Sequence, residues 1–137
     1  MRVVSGSTAD RWGGFEVLLV RATGHDGFVI PKGGWETDEP TAEAAAVRET
    51  WEEAGVRGDV IDDIGEFEFK TNKGNAVKMY AFLLKVNEVA EEWPEQRERK
   101  WMPLPVAMEA ARRRPEQVAV LQRVAGMLTP LLRNALT

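Results

Sequence analysis

The sequence predicts a single layered α/β domain, and three observations carry that expectation. Strand-type segments, apolar or alternating, fill the first half and the middle of the chain. One helical stretch closed by a glycine is set among them. Helical periodicity returns only near the end. A chain of 137 residues suits one domain, 1–137, with enough length to bury a core.

Arg2 to Gly6 reads as a short first strand, followed by a turn from Ala9 to Gly14. Phe15 to Val20 is an apolar run of buried-strand type. Arg21 to Gly27 is a polar loop holding the only histidine, His25. Phe28-Val29-Ile30 is a short strand that runs into Pro31 and Lys32. A Lys32-Gly33-Gly34 turn and an acidic loop then lead into the helix. Pro40 is expected in its first turn, where a missing N–H is no loss. Ala42 to Trp51 is rich in good helix formers, and Gly55 can close the helix in the left-handed region.

Val60 to Gly65 and the alternating Glu66-Phe67-Glu68-Phe69-Lys70 read as half-buried strand. Thr71 to Asn75 supplies a hairpin turn, and Val77 to Val86 the returning strand. Asn87 to Gln96 is acidic and contains Trp93-Pro94. A basic edge from Arg97 to Lys100 leads into a short strand. A helix is expected over Val106–Arg114, stopped by Pro115, and a last one from Glu116 to Leu132.

Composition excludes several classes of chemistry. The absence of cysteine removes disulfides, thiol nucleophiles and thiolate metal sites. A net charge of −4 argues against nucleic-acid binding driven by bulk charge. It leaves room for an anionic substrate wherever a basic patch or a bound cation inverts the local field. No apolar run approaches a membrane span, and the N-terminus lacks a signal-peptide pattern. The expected setting is the cytoplasm, with the nucleus as second choice, and the expected state a monomer or weak dimer.

On a helical wheel, Glu49, Glu52 and Glu53 gather on one side of the helix. Ala44, Val47, Trp51 and Ala54 fall opposite and are expected to face the core, with Trp51 as a core side chain. Like charges one turn apart, Glu49 and Glu53, repel. Arg48 offsets part of that repulsion, and a divalent cation would offset more. Carboxylate oxygens suit Mg²⁺, Mn²⁺ or Ca²⁺ rather than zinc.

Residues 34–56 resemble the Nudix box, GX5EX7REUXEEXGU, with U a bulky apolar residue. Gly34 matches its first glycine, Arg48-Glu49 its RE, Glu52-Glu53 its EE, and Gly55-Val56 its GU. Two positions depart. Pro40 stands where the first glutamate belongs, with Glu39 one residue early, and Thr50 fills an apolar position. The likeness extends outward to the diphosphoinositol polyphosphate phosphohydrolase subgroup, which also cleaves diadenosine polyphosphates. Pro31 to Glu39, Glu91-Glu92-Trp93, and Arg97, Arg99, Lys100 and Trp101 carry it.

The resemblance implies an α/β/α sandwich with a mixed β-sheet between helices. The box helix would lie on one face and the C-terminal helix on the other. It implies cleavage of a phosphoanhydride by water, with two or more Mg²⁺ or Mn²⁺ ions held by Glu49, Glu52, Glu53 and the Gly34 carbonyl. Arg48 would orient a box carboxylate. The base would be Glu49, Glu53 or a glutamate from a distant loop, with Glu66 and Glu68 as candidates for an extra carboxylate. Lys32, Gly33, Lys78, Arg97 and Arg99 are the expected contacts to a highly phosphorylated small molecule, and Trp35 is placed to cover the site. Arg112-Arg113-Arg114, at a helix end, reads as structural. Other substrates of the family remain alternatives: ADP-ribose, a nucleotide sugar, an RNA cap or a damaged nucleoside triphosphate. So does a non-catalytic phosphate-sensing module.

Overall fold

Phe15 and the residues that follow it alternate between two cores, and that alternation sets the architecture. In the computed structural model, which describes residues 2–3, 15–24, 27–33, 39–71 and 73–127, strand β2 (Phe15–Arg21) sits at the centre of a four-stranded sheet. Strand β6 (Arg99–Pro103) pairs along one edge of β2. Strands β1 (Arg2–Val3) and β3 (Phe28–Val29) share the other edge, at opposite ends. Strands β4 (Val56–Lys70) and β5 (Ala76–Val89) form a long hairpin ribbon. Its register slips at three points, as β-bulges produce.

Side chains of a strand alternate between faces. Phe15, Val17 and Leu19 of β2 therefore join Ile64, Phe67 and Leu83 under helices α2 (Leu104–Ala110) and α3 (Pro115–Met127). Leu18 and Val20 point the other way, to Ala54 and Val56 at the end of helix α1 (Ala42–Ala54). The layering is helix, strands, helices, as expected.

The sheet itself differs from expectation. Every strand pairing among the described residues is antiparallel, so the expected mixed sheet becomes an antiparallel sheet and an antiparallel ribbon. A parallel pair needs a crossover. The chain's β3–α1–β4 stretch could supply one, but it sends β4 to pair with β5.

Three element boundaries also move. Thr41, not Pro40, caps α1: its Oγ1 accepts from the Ala44 N–H at 3.1 Å, which leaves Pro40 one residue outside the helix. The two strand segments expected between Val60 and Lys70 form one continuous strand. The helix expected over Val106–Arg114 begins at Leu104 and ends at Ala110. The expected strand residues Val4 to Gly6, the turn Ala9–Gly14, His25, Gly34, Trp35 and the helical residues beyond Met127 lie outside the described residues. No helix among the described residues is long and apolar enough to cross a membrane.

Candidate active site

The helix that carries the glutamates follows the simple wheel reading at Ala54, which is fully buried, and departs from it at Val47 and on the carboxylate side. Ala45, Glu53 and Ala54 are its buried residues, whereas Val47 is exposed. Trp51 is only half-buried, and its ring is covered by the Arg57 guanidinium 3.8 Å away. Small alanines on the carboxylate side let the helix approach the strands closely. The acidic face thereby lies along the protein rather than in open solvent.

The last turn of α1 leaves carbonyls without helical partners. A segment from Ala90 to Arg99 supplies them. The Glu95 N–H donates to the Glu52 carbonyl at 2.9 Å and the Ala90 N–H to the Gly55 carbonyl at 2.8 Å. The Trp93 indole N–H donates to the Glu53 carbonyl at 2.9 Å. Arg99 donates to Ala54 at 2.8 Å, to Gly55 at 3.3 Å and to Ala90 at 2.5 Å, with its guanidinium 3.9 Å from the Trp93 ring centre. Burial pulls the Arg99 pKa below the usual guanidinium range. Gly55 takes φ 65, and a Cβ there would stand 2.6 Å from the Trp93 ring. Glycine is therefore required twice at that position.

This capping segment also delivers two side chains to the glutamates. Carboxylate oxygens of Glu49, Glu52 and Glu95 lie within 4.8 Å of one another. Arg97 sits between Glu95, at 2.6 Å, and Glu53, at 3.4 Å. Gln96, between them, takes φ 49, an uncommon conformation for a residue other than glycine.

Arg48 organises the outer side. It makes a forked pair with Glu39, at 2.9 and 3.0 Å, and reaches Glu49 at 2.8 Å and Glu52 at 3.1 Å. Forked arginine–carboxylate pairs fix orientation as well as charge. Glu39, one place before the box position that Pro40 occupies, thus anchors the arginine that holds the other two.

Glu53 lies beneath this group. It is 2% exposed, and its Oε1 accepts from the Lys32 N–H at 3.4 Å. Its pKa is pushed up to about 8, first by burial and then by a side-chain hydrogen bond with Glu49. The Arg97 charge and the Lys32 N–H pull the other way. The Glu49–Glu53 pair therefore carries a proton at neutral pH when no cation is present. Gly33 borders this pair closely: a Cβ there would collide with the Glu49 carboxylate.

The expected site residues thus separate. Arg48, Glu49, Glu52, Glu53, Gly33, Arg97 and the Lys32 main chain come together. Arg99 instead spends its donors on main-chain carbonyls. Lys78 lies on β5, 3.7 Å from Glu66 and 4.0 Å from Glu68. Glu95 was not among the sequence-derived candidates; its acidic neighbourhood gave it no distinguishing pattern. Lys32, Gly33 and Lys78 also line a cavity of about 670 Å³ between α1, β5 and α3.

The NUDIX domain family matches residues 6–124. The chain belongs to the NUDIX domain family. Nudix hydrolase 4 of Arabidopsis thaliana is 44% identical over 97 residues, covering 69% of this chain and 46% of that protein. Diphosphoinositol polyphosphate phosphohydrolase 3-alpha of Mus musculus is 40% identical over 91 residues, covering 63% of this chain and 54% of that protein. The chain spans about half the length of the curated relatives it matches. Among solved structures, the C. elegans Ap4A hydrolase aligns with a TM-score of 0.63 at 25% identity, covering 83% of this chain and 86% of that one.

Proposed function

We propose that this NUDIX domain hydrolyses phosphoanhydride bonds in highly phosphorylated small molecules, with diphosphoinositol polyphosphates and dinucleoside polyphosphates as the substrate classes. The observation that carries the reading is the oxygen-only cluster of Glu49, Glu52 and Glu95, oriented by Arg48 beside the proton-sharing Glu49–Glu53 pair. The names of the mouse and nematode relatives support the substrate classes.

The cluster fits hard divalent cations, since all its donors are carboxylate oxygens at mutual distances that one ion can bridge. Glu49, Glu52 and Glu95 would hold Mg²⁺ or Mn²⁺, in two or more ions, with Gly34 as the further expected ligand. Such ions, when bound, supply positive charge for the phosphate chain and acidify water.

The protein's own groups do the rest. The Glu49–Glu53 pair accepts the proton of the attacking water, and burial keeps that proton close to the reacting centre. The new P–O bond forms as the bond to the leaving phosphate breaks. Arg48 holds Glu49 and Glu52 in place, and Arg97 limits the negative charge that Glu53 and Glu95 place together. Lys32 and Lys78 face the substrate as point charges at the cavity. Arg99 positions the helix end and the Glu95 segment.

Phosphate release from a diphosphoinositol polyphosphate and from a diadenosine polyphosphate, with Mg²⁺ and with chelator, tests the proposal. Cation-dependent release that Glu49→Gln abolishes in a folded protein is the expected result. Tight binding without turnover of either compound would replace the hydrolase by a sensing module.

A further inference from the structure

The cavity beside Gly33 is larger and more apolar than a phosphate chain needs. Its volume lies in the range of small-molecule sites. Ile30, Phe69, Met79, Ala81 and Val120 contribute its apolar walls, and Gln117 is part of its lining.

Gln117 is fully buried. Its Oε1 accepts from the Ile30 N–H at 2.9 Å, which fixes which way the amide faces. Its Nε2, with two hydrogens to donate, has no partner among the described residues. Buried donors in folded proteins are nearly always satisfied, so one left open on a cavity wall marks a place where an acceptor belongs.

We propose that Gln117 is a specificity-determining residue for the non-phosphate part of the substrate. Its Nε2 donates to a ring nitrogen or carbonyl oxygen of a planar heterocycle seated between the apolar walls. The phosphate chain runs out past Gly33 to the carboxylates. This rests on the hydrolase reading above and deepens it. A ring bearing a phosphate on each carbon would need cations around it. The cavity offers Lys32 and Lys78, and the latter already lies near Glu66 and Glu68. The walls therefore favour a base-bearing dinucleoside polyphosphate over an inositol compound.

Gln117→Met keeps the side-chain length and removes the donor. In the full chain with Mg²⁺, it should raise KM for diadenosine tetraphosphate by about tenfold, the scale of one hydrogen bond. The kcat should hold within about twofold, and KM for inorganic tripolyphosphate should not move. Ala81→Phe crowds the ring's seat from another wall residue and should act the same way, which covers the case in which the Met variant fails to fold. Equal effects on both substrates, or none, would overturn the proposal and leave Gln117 a core residue bonded to water.

Binding of adenosine in the presence of chelator separates this inference from the hydrolase reading. Weakened binding in Gln117→Met with no hydrolysis of any substrate would keep the inference and remove the hydrolase. Hydrolysis with adenosine binding and KM unchanged would do the reverse.

Discussion

Replacing Glu53 with Gln should make the cation-free protein more stable, increasingly so as pH rises. A neutral amide imitates the protonated carboxyl that the native state prefers. The native pKa of Glu53 stands near 8 against an ordinary 4.5. Between those values the folded protein holds a proton that the unfolded chain releases, so stability falls as pH climbs from 4.5 through 8. The full span corresponds to about 5 kcal/mol. Because Glu53 is 2% exposed, solvent screening removes little of it. Between pH 6 and pH 9 the advantage of Glu53→Gln over the native protein should grow by about 2 to 3 kcal/mol. Urea unfolding in EDTA at the two pH values measures it. Added Mg²⁺ should narrow the gap, since a cation beside Glu49 favours the charged pair. Parallel stabilities for the two proteins from pH 6 to pH 9 would refute the buried-proton argument, whatever the variant does to turnover.

Three further predictions concern the surrounding groups. Glu95→Gln should raise the Mg²⁺ concentration needed for half-maximal activity at least tenfold while thermal unfolding stays within a few degrees, because Glu95 is half of the closure that the capping segment adds; a metal titration of activity reads this. Gly33→Ala should lower kcat by about a hundredfold by pushing the Glu49 carboxylate off position, with little change in circular dichroism. Trp93→Phe should cost about 1 kcal/mol in denaturant unfolding through the lost bond to the Glu53 carbonyl.

The strands, the hairpin and the glycine-closed helix were legible because local rules govern them: alternation at Glu66 to Lys70, turn residues at Thr71 to Asn75, a left-handed cap at Gly55. The face on which α1 packs was not. A wheel separates apolar from acidic positions, but here Ala45 packs inward while Val47 faces out, so size outweighed hydropathy. Glu95 was hidden because it lies far along the chain from Glu49 and Glu52 and reaches them only through main-chain bonds to the end of α1. Arg99 looked like a phosphate ligand because sequence shows its charge and not the three carbonyls that occupy it. The pairing of β4 with β5 followed from the turn residues between them, whereas the three register slips along the ribbon carried no local signal.

The bracket formed by Ala90 to Arg99 over the end of α1 bears on how portable the glutamate-bearing signature is. Residues 34–56 moved alone into another scaffold would bring their acids but leave four helix-end carbonyls without donors and Glu53 without its cover. A working transplant would have to carry the distant strip as well. The smallest inheritable unit of this site is therefore two separated stretches of chain, and a drifted residue at Trp93 or Arg99 would loosen its frame while leaving every letter of the signature intact.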